Sequence, residues 1–186
     1  MKTVSLLSVE KEALRRELQR MRQGLSPERR LEAKLKVFDE IYPRLEGFSR
    51  VLSFFSFGSE VDLSALNERL CADGRLLLPR VEGEDLGIYE VRNLQSDLTK
   101  SSMGILEPIP KHCLKVELKE IEVLLAAGLG FDAQGHRLGY GRGYYDRLID
   151  KCPTALTLGV GYQEQLLPYD LPKTLHDRPV EELWLV

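Results

Sequence analysis

Cysteine is scarce in this chain of 186 residues: Cys71, Cys113 and Cys152 form an odd, widely separated set with no Cys-x-x-Cys pair. That excludes a disulfide framework and predicts reduced thiols in a cytoplasmic protein. Histidine is equally sparse. His112 stands beside Cys113, but neither His136 nor His176 lies at a zinc-ligand spacing from them, so no zinc site is expected. No apolar run approaches the length of a membrane span. The opening Met1-Lys-Thr-Val-Ser-Leu-Leu-Ser8 passes at once into a charged helical pattern, without the apolar core or cleavage site of an export signal. Excess positive charge is missing too. A formal net charge of −3 and a pI near 5.7 exclude the broad basic surface that coats nucleic acid or an anionic membrane. There is no Gly-x-x-x-x-Gly-Lys-Ser/Thr, and Gly139-x-Gly141-x-Gly143 is not the dinucleotide Gly-x-Gly-x-x-Gly. No repeat, low-complexity segment or long linker divides the chain, so a single domain over residues 1–186 is expected. Its 43% hydrophobic content is enough for a sizeable core.

Glycine, by contrast, is concentrated. Six of the twenty residues from Gly128 to Arg147 are glycine, interleaved with Arg137, Arg142, Tyr140, Tyr144, Tyr145, Asp132 and Asp146. A featureless linker has no such chemistry, so a shaped loop is predicted. Tyr145, Leu148 and Ile149 then recur at helical spacing, so the loop opens a helix. The first amides of a helix lack internal partners and carry the positive end of its dipole, which makes an anion seat, with Arg137 and Arg142 adding charge. Taken on glycine density alone, a structural turn with exposed arginines reads equally well.

Along the chain, Ser8 can cap a helix running to about Arg22, with Leu14, Leu18 and Met21 as its apolar stripe and Gly24 at its stop. Lys11 and Arg15, four apart, share one face, either as solvated surface or as a second phosphate grip. Ser26-Pro27-Glu28 starts another helix, predicted to bury Leu31, Leu35, Phe38 and Tyr42 and to end before Pro43. Strands are expected at Arg50–Phe55 and Arg75–Pro79, joined by a helix through Leu63, Leu66 and Leu70 that Asp62 caps. A further strand is expected at Gly87–Val91, within a turn-rich stretch of residues 80–112 in which Ile105–Pro108 reads as a turn rather than a site edge. The β-α-β pattern recurs as strand Ile121–Ala126, glycine loop, helix to Lys151 and strand Ala155–Val160, and a short strand Leu183–Val186 ends the chain. Such crossovers predict an α/β fold: a single-domain layered sandwich with a mostly parallel central sheet flanked by helices. Ligands bind beyond the carboxyl ends of parallel strands, so Glu60 and the glycine loop should share one end of the molecule.

The segment Gly130-Phe-Asp-x-x-Gly-x-Arg-Leu-Gly-Tyr-Gly-Arg-Gly-Tyr-Tyr-Asp146 resembles the signature of the 5-formyltetrahydrofolate cyclo-ligase (5,10-methenyltetrahydrofolate synthetase) family. Lys11-x-x-Leu14-Arg15, Phe55-x-x-x-x-Glu60-Val-Asp62, Gly104-Ile-x-Glu107-Pro108 and His176-Asp177 agree in order and spacing. The resemblance implies ATP-dependent, magnesium-requiring closure of 5-formyltetrahydrofolate to 5,10-methenyltetrahydrofolate, with ADP and phosphate released. Carried over by position, it implies ATP contacts from Lys11, Glu12, Ala13, Leu14 and Arg15 and from Arg137, Leu138, Gly139, Tyr140, Gly141, Arg142, Gly143, Tyr144 and Tyr145. It implies folate contacts from Arg15, Phe55, Glu60, Tyr140, Gly141, Arg142, Gly143 and Tyr144. Asp146 and Asp177 match Mg2+ ligands, and Arg142 and Asp146 are the residues expected to carry catalysis. The partners implied are two small molecules, with no nucleic acid or membrane and a monomeric chain. The alternative kept open is a non-catalytic folate- or nucleotide-binding paralogue. A dinucleotide oxidoreductase fits poorly, since the glycine loop comes late and no ribose-binding acid follows a suitable strand.

Overall fold

The computed structural model describes residues 6–186; the first residues of the predicted leader-free start lie outside them. Helix α1 runs over Leu6–Gln23. Ser8 therefore lies inside this helix rather than capping it. Leu18 is buried, with Leu14 and Met21 packed beside it, and the Gly24 amide closes the last turn on Arg20 O (2.9 Å).

Helix α2, Pro27–Lys36, begins as its sequence dictates: Ser26 Oγ accepts from Arg29 N (3.1 Å) and Pro27 occupies the first turn. Its buried side corrects the expectation. Leu31 and Leu35 are 59% and 57% exposed and Phe38 is also on the surface. The core side is Ala33, Val37, Ile41 and Leu45, a parallel four-residue stripe one step around the helix. The helical path also does not stop before Pro43. A π-turn at Val37–Ile41 passes into a 3-10 turn, Tyr42–Leu45, whose first positions accept the proline.

The strands are β1 (Val51–Leu52), β2 (Leu76–Glu82), β3 (Asp85–Glu90), β4 (Leu98–Lys100), β5 (Leu106–Pro108), β6 (Leu114–Lys115), β7 (Val123–Ala126), β8 (Gly130–Phe131), β9 (Arg137–Leu138), β10 (Leu156–Gly161) and β11 (Glu182–Leu185). Helix α3 (Ser64–Ala72) joins β1 to β2, and α4 (Tyr144–Lys151) precedes β10. Asp62 Oδ1 accepts from Ser64 N (2.8 Å), so the predicted cap acts from one residue before the cap position. The main sheet has the order β11-β10-β7-β1-β2-β3-β6. Its first four pairings are parallel. The β2–β3 hairpin and β6 add an antiparallel edge. This is the mostly parallel α/β sandwich.

Alternation along each central strand builds two cores. Val51, Leu76, Leu78, Val123 and Leu125 face α2, the π-turn and α3. Leu52, Leu77, Leu124 and Ala126 face α4. The chain leaves β1 outward through β2 on one side and returns through β7 and β10 on the other. The switch point therefore lies between β1 and β7, where loops at their carboxyl ends diverge and leave a crevice. The β8–β9 hairpin follows β7, and Leu18, Leu129, Leu138 and Leu171 seal it under α1.

Candidate active site

A cavity of about 500 Å³ opens at that crevice, within the range of small-molecule sites. The loop after β1 contributes Phe54, Phe55, Phe57 and Glu60, the segment after β7 contributes Ala127 and residues 137–146, α1 contributes Lys11 and Arg15, and the late loop contributes Asp177. Glu60 and the glycine loop thus share one end of the sheet. Ile105, Leu106 and Glu107 also line it, and Leu106–Pro108 forms β5, so the stretch expected to be a turn is instead a strand at the cavity's edge.

Cations and carboxylates interlock on one part of the wall. Lys11 Nζ donates to Asp177 Oδ2 at 2.6 Å. Arg15 Nε donates to Gly139 O at 2.9 Å, which ties α1 to the glycine loop. A Cβ at Gly141, where φ is +95°, would press within 3.2 Å of the Arg15 guanidinium. Only glycine suits that backbone and that approach. Arg137 is buried, donating to Asp146 Oδ1 (3.0 Å) and Arg178 O (2.6 Å). Arg142 is exposed and makes no side-chain hydrogen bond or ion pair among the described residues. Its backbone carbonyl accepts from Arg147 Nη1 (3.0 Å), and Arg147 also reaches Glu84 O on the β2–β3 hairpin. Gly143, with φ of +67°, turns the loop into α4.

Burial shapes the titration of this wall. It lowers the pKa of Arg137, an effect that Asp146 and Tyr145 partly oppose. Burial disfavours ionised Asp177, but the hydrogen bonds from Lys11 and Thr174 outweigh it and hold the carboxyl below its ordinary value.

An aromatic and acidic wall stands beside the first. Glu60 Oε2 accepts from Phe57 N (2.8 Å), and the Phe57 ring meets Tyr140 edge-on with centroids 6.3 Å apart. Desolvation raises the Glu60 pKa, with the Phe57 amide, Arg22 and Tyr140 working against it. Glu107 stood in the sequence only as part of the Gly104-Ile-x-Glu107-Pro108 motif, with no role attached, and Arg22 carried no signal as a site residue. Glu107 is 7% exposed, with Oε2 3.6 Å from Arg80 Nη1. Arg22 is 1% exposed behind Tyr140. A charged residue at the end of an amphipathic helix reads as surface, and nothing local distinguishes one that is buried.

Most of the predicted site residues come together in this cavity: Lys11, Arg15, Phe55, Glu60, residues 137–146 and Asp177. Glu12, Ala13 and Leu14 do not line it. Helical geometry turns them from the face that Lys11 and Arg15 share: Glu12 and Ala13 are exposed, Glu12 pairs with Arg15 (3.2 Å), and Leu14 packs under the hairpin. Among the described residues no group of three or more His, Cys, Asp or Glu could hold a metal by itself. His112 Nδ1 lies 2.7 Å from Ser96 O and Cys113 is buried.

Fold and crevice together define a doubly wound α/β protein with a candidate ligand cleft at the topological switch point. The family model described as the 5-formyltetrahydrofolate cyclo-ligase family matches residues 7–185. The chain belongs to this family. The 5-formyltetrahydrofolate cyclo-ligase of Mus musculus is 28% identical over 93% of this chain and 92% of its own length. The enzyme of that name from Escherichia coli K12 is 31% identical over 78% of this chain and 82% of its own. The NMR structure of Aquifex aeolicus 5,10-methenyltetrahydrofolate synthetase superposes with a TM-score of 0.82 at 32% identity, covering 93% of this chain and 88% of that one.

Proposed function

We propose that the protein closes 5-formyltetrahydrofolate to 5,10-methenyltetrahydrofolate with ATP, releasing ADP and phosphate. Closure joins N10 to the N5-formyl carbon and expels the formyl oxygen, a very poor leaving group. The γ-phosphoryl group of ATP is transferred to that oxygen, N10 attacks the carbon, and the oxygen departs as phosphate while N10 loses its proton. No protein nucleophile is needed. The three free cysteines are left without a catalytic role and fit a reducing compartment such as the cytoplasm.

The residues' work is positioning and charge neutralisation. Lys11, Arg15 and Arg137 are braced by Asp177, Gly139 O and Asp146, so they keep a fixed orientation toward the triphosphate. Arg142, exposed and without a side-chain partner among the described residues, is a cation able to follow the γ-phosphoryl group during transfer. Two carboxylates in one cavity are a donor set that suits Mg2+, a hard ion that binds proteins through one or two carboxylates and takes its remaining ligands from water and phosphate. Asp146 and Asp177 would hold it, and the ion would supply charge neutralisation for the phosphates. Glu60 accepts paired hydrogen bonds from the amino-pyrimidine edge of the pterin, and Phe55, Phe57 and Tyr140 present flat faces to its rings. One chain supplies every group named, so a monomer suffices.

A single observation carries this reading: Lys11, Arg15, Arg142, Asp146 and Asp177 line the same cavity as Glu60. The test is incubation with 5-formyltetrahydrofolate, ATP and Mg2+, following methenyltetrahydrofolate absorbance and ADP together. Equal amounts of both products are expected. Binding of both substrates without turnover would assign the chain to a non-catalytic paralogue, and failure to bind either would overturn the proposal.

A further inference from the structure

Arg22 lies on α1 two turns beyond Arg15 and is 1% exposed, yet it does not line the cavity. Its guanidinium joins three segments that build the cavity wall. Nε donates to Ser59 Oγ (3.0 Å), Nη1 to Gly128 O (3.1 Å), and Nη2 to Tyr140 Oη, whose ring lies 5.8 Å below the guanidinium carbon. All three acceptors are neutral. Burying a guanidinium without a carboxylate in direct contact costs stability that an apolar side chain of similar size would not. Packing therefore does not account for an arginine here. The residue next to Ser59 is Glu60.

Hydrogen-bond valence gives the arrangement a direction. Arginine has donors and no acceptor, so Tyr140 Oη must accept from Arg22, and its own proton is left for another group. Glu60 is the carboxylate beside it in the cavity, and its loop is anchored by the bond from Arg22 to Ser59. We propose that Arg22 is a positioning residue for the folate end of the site: it orients the Tyr140 hydroxyl proton toward Glu60 and fixes the loop that presents Glu60 to the pterin. Two geometric features agree with this: Phe57 N braces the same carboxylate at 2.8 Å, and the Phe57 ring meets the Tyr140 ring edge-on with centroids 6.3 Å apart, which keeps Tyr140 next to the loop that bears Glu60. The inference rests on the reading of Glu60 as the pterin acceptor.

Calorimetric dissociation constants for 5-formyltetrahydrofolate and for ATP test it without requiring turnover. Arg22→Met is expected to weaken folate binding about tenfold, the scale of one charge-assisted hydrogen bond, and to leave ATP binding within about twofold. Arg22→Lys, which keeps the charge but not the three-way grip, should lose less. Tyr140→Phe removes only the hydroxyl, and combined with either Arg22 variant it should add little beyond the larger single effect, because both act through one bond. Should Arg22→Met fail to fold in a thermal melt, Arg22→Lys and Tyr140→Phe carry the cycle. Equal weakening of both ligands, or fully additive effects of Arg22 and Tyr140, would overturn the proposal. Glu60→Gln on the native background separates the two levels of inference. If it leaves folate binding unchanged, the pterin assignment fails; if it weakens folate binding while the Arg22 variants do not, Arg22 alone has been misread.

Discussion

Arg142→Ala separates catalytic charge from structural charge in the glycine loop. The side chain is exposed and makes no hydrogen bond or ion pair among the described residues, so its removal leaves no cavity and orphans no partner among them. Such surface substitutions change stability by about 0.5 kcal/mol or less, a melting shift of about 2 °C or less for a chain of this size. The effect on chemistry is expected to be large. A donor aimed at charge that develops during reaction is worth about 10²–10³ in kcat, so turnover should fall at least about a hundredfold at saturating ATP. Arg137→Ala is the matched contrast, because it strips Asp146 of its 3.0 Å partner and leaves Arg178 O without its donor. Breaking a fully buried pair costs about 3–5 kcal/mol. Asp146 keeps 25% of its side chain exposed, so about 2–3 kcal/mol is the better figure, or about 4–12 °C in the melt. Product absorbance and thermal melts on the two variants side by side make the measurement. Arg142→Ala retaining more than a third of native turnover, or melting as early as Arg137→Ala, would refute the reasoning.

Asp132 is fully buried and accepts from Gln134 N (2.9 Å), His136 N (3.0 Å) and Leu171 N (3.0 Å). Asp132→Ala should therefore cost about 3–5 kcal/mol in urea unfolding at neutral pH. Burial opposes ionisation of this carboxyl, but the three amides outweigh it and its pKa lies below the ordinary value. Its stabilisation is accordingly complete above about pH 4, the unfolded carboxyl's range, and is lost as pH falls toward the lower folded value. Native protein should show this acid loss and Asp132→Asn a flatter one; identical acid limbs would contradict it. On the paired stripes of the second helix, Ile41→Ala should cost about 2–5 kcal/mol and Leu35→Ala under about 0.5 kcal/mol, as read from denaturant midpoints.

The sequence made some layers of this molecule legible and hid others. Apolar runs such as Leu76-Leu-Leu and Val123-Leu-Leu announced strands buried on both faces, and each crossover between them forced a parallel pairing. The glycine loop was readable because positive-φ turns and close approaches leave few alternatives to glycine, as Gly141 beside Arg15 illustrates. The second helix was misread because it carries two four-residue stripes. Leu31, Leu35 and Phe38 are the more hydrophobic set, but Ala33 at the contact lets the helix settle against the sheet, and that choice is tertiary. Ser8 had the chemistry of a cap but lies within a helix that begins earlier. Arg22 and Glu107 were not singled out for the site because burial of a charge depends on partners remote in sequence: Arg22 contacts residues 37, 106 and 118 positions away.

Lys11 and Asp177 are joined across 166 positions of sequence, and the stretches lining the cavity between them are drawn from widely separated parts of the chain. A growing polypeptide still attached to the ribosome therefore has no finished pocket until the segment bearing Asp177 has emerged and docked on the first helix. A ligand that fills the cavity and touches both Lys11 and Asp177 would grip both segments at once, and so ought to steady the entire fold and slow its proteolysis, not merely stiffen one loop.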